Sequence, residues 1–121
     1  MVNLKLFLVI AFVITGLRQG FPQSEETGLA SFYNDKFEGR LTSSGAVYNK
    51  NKMTAAHRTL SFNTRIRVTN LANGRTVIVT VNDRGPFVKG RIVDLSKAAA
   101  VKLDFIDQGI TKVKLEVVEK N

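Results

Sequence analysis

Two runs of alternating side chains, joined by a tight-turn dipeptide, constrain the fold of this chain more than any other feature. In residues 64–70 (TRIRVTN) and 76–82 (TVIVTVN), apolar side chains recur at every second position. Successive side chains of a strand point to opposite faces, so each run would bury one face of a strand. Asn73-Gly74 lies between them, and both residues tolerate the positive φ of a tight turn. The pattern predicts an antiparallel β-hairpin.

Shorter segments around this hairpin complete a small all-β unit. Three more segments are predicted as strands: 28–33, 91–95 and 111–118. Ser96 can cap a short, alanine-rich helix over residues 97–103, whereas residues 34–56 lack a clear period and are predicted as mostly loop. A chain with five or six short strands buries most surface when its sheet closes on itself, so we expect a small β-barrel.

The first residues have a different composition from the rest. Residues 6–17 are apolar apart from Thr15 and Gly16, a run shorter than the roughly 20 residues of a transmembrane helix and typical of a signal peptide. We therefore expect a signal peptide over residues 1–23, and an uncleaved anchor or a buried helix is the alternative. The polar residues 24–27 are predicted as a short linker, followed by one domain over residues 28–118.

Cysteine and histidine counts exclude several kinds of site. The chain of 121 residues has no cysteine and one histidine, His57. This excludes a disulfide framework, a thiolate nucleophile, cysteine-ligated metals and a lipid-modified cysteine. A centre with several histidine ligands is excluded as well. We expect no metal and no cofactor, and an exported protein of the periplasm or cell envelope that is not a lipoprotein.

The charge predicts an anionic partner. The formal net charge is +8, from 18 Lys+Arg and 10 Asp+Glu. Such a balance suits nucleic acid, a membrane surface or an acidic polymer of the cell wall. Predicted export and the lack of nucleic-acid-binding motifs disfavour nucleic acid.

A series of motifs along the chain resembles the rare lipoprotein A family. The segments that carry the resemblance are GLASFY at 28–33, FEGR at 37–40, MTAAH at 53–57, RVTNL at 67–71, VNDRGPF at 81–87 and RIVDLS at 91–96. The resemblance implies a six-stranded double-psi β-barrel with one short helix, shared with expansins, barwin-like proteins and some lytic transglycosylases. It also implies a lytic transglycosylase that acts on peptidoglycan glycan strands stripped of peptides, with cell-division proteins as further partners. We expect a monomer.

The resemblance also implies a catalytic pair. Asp83 takes the place of the catalytic acid and His57 that of its active-site partner. In such a reaction one group can serve as acid to the leaving oxygen and as base to the muramyl 6-hydroxyl, which gives a 1,6-anhydro end. Asp83 follows an apolar strand and precedes a Gly-Pro turn, so we expect a half-buried carboxyl with a raised pKa. His57 would orient Asp83 or bind substrate. The alternatives are a turn-capping Asp83 and a structural His57.

Six further residues are candidates for substrate binding. Aromatic side chains could stack on sugar faces or fill the core, and arginines could bind the muramyl lactate carboxylate or form a solvated rim. Asp94 lies at the place of the expansin-type groove aspartate, with helix capping as its alternative role. The set is Tyr33, Tyr48, Phe87, Arg84, Arg91 and Asp94.

Three positions depart from the family pattern. Ala46 stands where the family usually has an acidic residue, Phe32 where it often has Trp, and Glu38 where it often has His. The missing carboxylate at Ala46 favours an alternative function, a non-catalytic expansin-like module that binds and loosens the cell wall.

Overall fold

The computed structural model describes residues 25–120, which form six strands, one 3₁₀ turn and one α-helix. The strands are β1 (Glu25–Phe32), β2 (Thr54–Ala56), β3 (Arg65–Asn70), β4 (Thr76–Asp83), β5 (Arg91–Leu95) and β6 (Thr111–Glu119). The 3₁₀ turn covers Asp35–Phe37, and helix α1 covers Lys97–Leu103. The predicted signal peptide over residues 1–23 lies outside the described residues.

The predicted hairpin is formed by β3 and β4. The two strands are antiparallel, with Arg65 opposite Thr80 and Thr69 opposite Thr76. Gly74 has the positive φ expected of the turn, 80°, and its N–H donates to Asn70 O over 2.7 Å. Asn73 does not share the positive φ, because the loop between the strands is longer than the two-residue turn that would require it.

The six strands close into a mixed barrel in the order β1-β5-β2-β4-β3-β6. β1 pairs with β6 in antiparallel and with β5 in parallel orientation. β2 likewise pairs with β4 in parallel and with β5 in antiparallel orientation. Each strand therefore has a neighbour on both sides, and no strand of the described barrel has a free edge. This confirms the predicted fold class, a closed six-stranded barrel with one helix.

The core follows from the alternation of the strands. Inward-facing side chains of β3, β4 and β6 are almost fully buried: Ile66, Val68, Val79, Val81 and Val113. Helix α1 adds Leu103, which is fully buried. The hydroxyl of Ser96 caps this helix by accepting from Ala99 N, as predicted from the sequence.

Two segments differ from the sequence prediction. β2 lies inside residues 34–56, which were expected to be mostly loop, because a three-residue strand is too short to show a period. β1 begins at Glu25, so most of the predicted linker over 24–27 is strand, with Glu25 opposite Glu116 of β6. Pairing with a distant strand sets this boundary, which the polar side chains themselves do not indicate. Within residues 25–120 no helix has the length and apolarity needed to span a membrane.

Candidate functional site

Asp83, the last residue of β4, has both carboxyl oxygens occupied by hydrogen-bond donors. Its Oδ1 accepts from the backbone N–H of Ser43 at 2.8 Å and from that of Arg84 at 2.9 Å. Its Oδ2 accepts from the hydroxyl of Tyr33 at 2.5 Å. β4 places Asp83, the turn after β1 brings Tyr33, and the loop before β2 brings Ser43. The carboxylate is therefore held by three separate parts of the barrel.

These donors decide the protonation of Asp83. Burial alone raises the pKa of its carboxyl, but the hydrogen bonds from Tyr33, Ser43 and Arg84 stabilise the ionised form and leave the pKa below its ordinary value. The predicted half-burial is present, whereas the predicted raised pKa is wrong. The cause is the set of donors, two of which are backbone groups that sequence reasoning did not assign to Asp83.

Tyr33 is enclosed by aromatic rings. It stacks on Tyr48 with ring centres 4.5 Å apart and an interplanar angle of 13°, and it meets the ring of Phe37 edge-on at 5.9 Å. Burial, followed by the hydrogen bond to Asp83, raises the pKa of the Tyr33 phenol above its ordinary range. One face of Tyr33 is thus covered by Tyr48, and its hydroxyl is directed at the carboxylate.

Tyr48 belongs to the core side of this stack. It is 2% exposed, and its hydroxyl accepts from the backbone N–H of Lys97 at the start of α1 over 3.1 Å. Phe87 lies at the other extreme, with 78% of its surface exposed. Of the three aromatic candidates for sugar stacking, only Phe87 has a largely open ring.

Two hollows adjoin Asp83 and together form a groove. The larger has a volume of about 430 Å³ and the smaller about 210 Å³. Tyr33, Phe37 and Asp83 line both. Asp83 thus belongs to the lining that the two hollows share.

Asp94 and Arg91 line the larger hollow together with Asp83. Asp94 Oδ1 accepts from Arg91 Nη2 at 2.9 Å and from the hydroxyl of Ser31. Arg91 Nε is buried and has no hydrogen-bond partner among the described residues. The predicted groove aspartate and one predicted arginine are therefore brought to the same wall of the groove.

The guanidinium of Arg84 is engaged by the protein. Its Nη1 donates to His57 O at 3.1 Å and to Leu60 O at 2.7 Å, and the group lies 4.1 Å from the centre of the Phe62 ring. Although Arg84 lines the larger hollow, its side chain fixes the loop after β2. The predicted role in binding the substrate carboxylate has no support from this geometry.

The ring nitrogens of His57 have hydrogen-bond partners other than Asp83. Its Nε2 lies 2.9 Å from Glu26 Oε1, and its Nδ1 accepts from the backbone N–H groups of Thr59 and Leu60. Nδ1 is therefore the unprotonated nitrogen and Nε2 the donor. The ring lines a separate hollow of about 420 Å³ that Asp83 does not line. His57 meets Asp83 through the backbone, its N–H donating to Asp83 O over 3.1 Å.

The loop that carries Ala46 lies against the end of β4. Thr42 N donates to Ala46 O at 2.8 Å, and Ser44 N donates to Asn82 O at 3.3 Å. Ala46 is exposed, and the carboxylate of Glu38 accepts from Lys50 N through Oε1 at 2.8 Å. Within residues 25–120, no three or more His, Asp or Glu side chains are grouped so that they could hold a metal ion.

Sequence reasoning missed two residues of this region. Ser43 contacts Asp83 through its backbone N–H, a group that every residue but proline carries, so its identity gave no signal. Glu26 pairs with His57 across 31 residues of sequence, and only the closed barrel brings them together.

The strand order and the carboxylate at the end of β4 define the class of protein, a double-psi β-barrel domain with a polar groove. The family model described as lytic transglycolase matches residues 25–115. The chain belongs to this lytic transglycolase family. The predicted resemblance is thereby confirmed.

Two curated relatives have the same name. The chain is 49% identical over 114 residues to the "Endolytic peptidoglycan transglycosylase RlpA" of Pasteurella multocida, covering 89% of this chain and 39% of that protein. It is 56% identical over 91 residues to the protein of the same name from Campylobacter jejuni, covering 75% of this chain and 33% of that protein. The chain thus spans about two fifths or less of the length of these relatives.

Solved structures share the fold at low sequence identity. A Streptomyces papain inhibitor matches with a TM-score of 0.64 at 24% identity, covering 78% of this chain and 94% of that chain. The expansin of Clavibacter michiganensis matches with a TM-score of 0.61 at 24% identity, covering 80% of this chain and 52% of that chain. Both support the barrel and carry no further argument about function.

Proposed function

We propose that this protein is an exported endolytic peptidoglycan transglycosylase that cleaves the bond between N-acetylmuramic acid and N-acetylglucosamine without water. The names of the curated relatives support this activity. The observation that carries the proposal is the place of Asp83, a carboxylate fixed by three donors where two hollows of one groove meet.

Asp83 serves as the group that moves the proton. The muramyl 6-hydroxyl forms a bond to its own anomeric carbon while the glycosidic bond breaks, and one proton passes from the 6-hydroxyl to the leaving oxygen. The product is a 1,6-anhydro end, with no water consumed. A single carboxylate suffices for this exchange, whereas a hydrolase normally uses two.

The surroundings of Asp83 suggest where the sugar lies. Arg91 and Asp94 present polar groups on the wall of the larger hollow, which suits the muramyl sugar with its lactate carboxylate. The exposed ring of Phe87 would stack on a neighbouring sugar. His57 acts on Asp83 indirectly. Its imidazole fixes the loop after β2, and the carbonyl groups of this loop hold Arg84, the residue next to Asp83.

The test is mass spectrometry of material released from purified sacculi, with and without peptide stems. The protein and two variants are compared: Asp83→Asn removes the proposed catalytic carboxylate, and Asp107→Asn removes an exposed carboxylate with the same change of charge. We expect anhydro-ended glycans from the parent and from Asp107→Asn. Release by Asp83→Asn should be at least about 100-fold slower, as the loss of a general acid–base group implies.

Other products would contradict specific parts of the proposal. Reducing ends would mean hydrolysis and a second carboxylate, for which Asp94 in the same hollow is the candidate. Equal release by Asp83→Asn would remove Asp83 from the mechanism.

A second candidate function is an expansin-like module that binds and loosens the wall without breaking bonds. Two observations favour it: Ala46 brings no carboxylate to the groove, and the lowered pKa of Asp83 makes its carboxyl a poor proton donor at neutral pH. Under this function all three proteins would bind sacculi and release nothing.

The compartment and the partners are part of the same proposal. We propose that residues 1–23 direct export to the periplasm or cell envelope, and that the domain works there as a monomer on glycan strands, near cell-division proteins. Amino-terminal sequencing of the protein recovered from the cell envelope tests the first point. A chain that still begins at Met1 would indicate an uncleaved anchor.

A further inference from the structure

We propose that Tyr33 is a positioning residue that presents Asp83 to the substrate as the ionised carboxylate, so that Asp83 first removes the proton of the muramyl 6-hydroxyl and then delivers this proton to the leaving oxygen. This inference rests on the proposed function. It differs in the order of the two proton transfers, because the carboxyl accepts a proton before it donates one. The effect of Tyr33 on the pKa of Asp83 can be measured without substrate.

The two carboxyl oxygens of Asp83 have different hydrogen-bond partners. Oδ1 accepts two backbone N–H groups, from Ser43 and Arg84, so a proton on Oδ1 would compete with both donors. Oδ2 accepts from the Tyr33 hydroxyl at 2.5 Å, and no other donor to it is found among residues 25–120. Oδ2 is therefore the oxygen that exchanges protons, and the Tyr33 hydroxyl is the group that controls it.

The ring of Tyr33 is itself fixed, which makes its hydroxyl a reliable donor. Tyr48 covers one face of the ring, and Phe37 packs against it edge-on. The backbone N–H of Tyr33 donates to Leu95 O at 3.0 Å, which ties this residue to β5. A hydroxyl on a ring held in this way keeps one direction, toward Asp83 Oδ2.

The electrostatics agree with an ionised resting state. Burial raises the pKa of Asp83, yet the net pKa is lowered, and the hydrogen bond from Tyr33 heads the causes that lower it. The other charged groups around the groove come from several elements. Those that line the two hollows are Lys36, Arg40, Arg84, Arg91 and Asp94.

The proposed proton path balances. The 6-hydroxyl oxygen forms a bond to the anomeric carbon and passes its proton to Asp83 Oδ2. The bond from the anomeric carbon to the leaving oxygen breaks, and that oxygen takes the proton from Oδ2. Asp83 ends ionised, as it began, and no external acid, base or water is used.

The first test is a carboxyl-carbon NMR titration of the full-length protein, with the Asp83 signal assigned by its loss in Asp83→Asn. In Tyr33→Phe the ring stack stays and only the hydroxyl is lost, so we expect the pKa of Asp83 to rise. The matched control is Tyr48→Phe, which removes the hydroxyl of the other stacked ring, the one bonded to Lys97 N. We expect this control to leave the pKa of Asp83 unchanged.

The second test is the pH dependence of glycan release. Base-first chemistry needs ionised Asp83, so the rate of the parent should fall as the pH falls through the lowered pKa of Asp83. In Tyr33→Phe this acidic limb should move to higher pH, and kcat at neutral pH should fall about tenfold, more than KM rises, because the carboxylate loses its fixed direction. A merely structural loss would lower the rate without moving the limb.

Each outcome supports or overturns one part of the proposal, either the positioning role of Tyr33 or the order of the proton transfers. An unchanged Asp83 titration in folded Tyr33→Phe overturns the positioning role of Tyr33. A parent rate that rises as the pH falls through the pKa of Asp83 overturns the base-first order. If no protein releases glycan, the proposed function fails and the proton order with it, whereas a raised pKa of Asp83 in Tyr33→Phe would still support the positioning role.

Discussion

Arg84 contacts both the proposed catalytic group and the loop after β2. Its backbone N–H donates to Asp83 Oδ1, while its guanidinium reaches the carbonyl oxygens of His57 and Leu60. The side chain closes the loop after β2, and the main chain stabilises the Asp83 carboxylate. Both groups of Arg84 therefore have a structural contact, and its role in binding substrate stays a prediction.

We expect Arg84→Met to lower the free energy of unfolding by about 1–3 kcal/mol, because two partly buried carbonyl groups lose their donor. Hydrogen exchange should show weaker protection in residues 57–62. The control is Arg58→Met, which removes an exposed cation in the same loop and should change the free energy of unfolding by less than about 0.5 kcal/mol. Equal stability of the two variants, measured by urea unfolding, would contradict this role of Arg84.

Asp83 also links the site to stability. Its pKa is lower in the folded protein than the ordinary value. The stabilisation is therefore present above the ordinary pKa of a carboxyl and is lost as the pH falls through the lowered value. The same donors that prepare the carboxylate for chemistry contribute to the fold at neutral pH.

At the scale of elements, Ser96 joins helix α1 to β2. The Ser96 hydroxyl accepts from Ala99 N at 3.3 Å and from Thr54 N at 3.4 Å. The backbone N–H of Ser96 donates to Thr54 O. The cap that begins the helix therefore also fixes the start of the shortest strand of the barrel.

We expect Ser96→Ala to lower the free energy of unfolding by about 1–2 kcal/mol, because the helix loses its N-cap and Thr54 N loses an acceptor. Thr27→Ala removes an exposed hydroxyl from β1 and serves as the control, with little change expected. Urea unfolding measures both variants. A loss in Ser96→Ala no greater than that in Thr27→Ala would show that the cap contributes nothing measurable.

At the scale of the whole molecule, the site exists only when the barrel is closed. Tyr33 follows β1, Asp83 ends β4 and Asp94 lies in β5, and these strands lie beside one another only through the order β1-β5-β2-β4. Opening the sheet between β1 and β5, between β5 and β2, or between β2 and β4 would separate the tyrosine from the carboxylate. Site and fold should therefore be lost together.

We expect the fluorescence of the tyrosines and the far-ultraviolet circular dichroism of the barrel to change in one coincident urea transition. The chain has no Trp and two Tyr, both at the Asp83 site, so fluorescence reports the site while dichroism reports the strands. Coincidence is the test of two-state unfolding. A fluorescence change at lower urea than the dichroism change would show that the site loosens while the barrel remains closed.

The sequence by itself determined the elements whose signals are local. Alternation over a few residues predicts the hairpin of β3 and β4, Ser96 predicts the start of α1, and the motif series predicts the family. It did not show β2, which is three residues long and has no period of its own. The signals for the hairpin and for the start of α1 are local, because a turn, a cap or a strand face depends on residues only a few positions apart.

Only the tertiary structure decided which groups meet. The hydrogen bond from Tyr33 to Asp83 spans 50 residues of sequence, and the one from Ser43 spans 40. In the folded chain the imidazole of His57 contacts Glu26, and the guanidinium of Arg84 contacts the loop carbonyl groups. No local pattern encodes such pairs, because the closing of the barrel sets the direction and the distance of each side chain, and with them the protonation of Asp83.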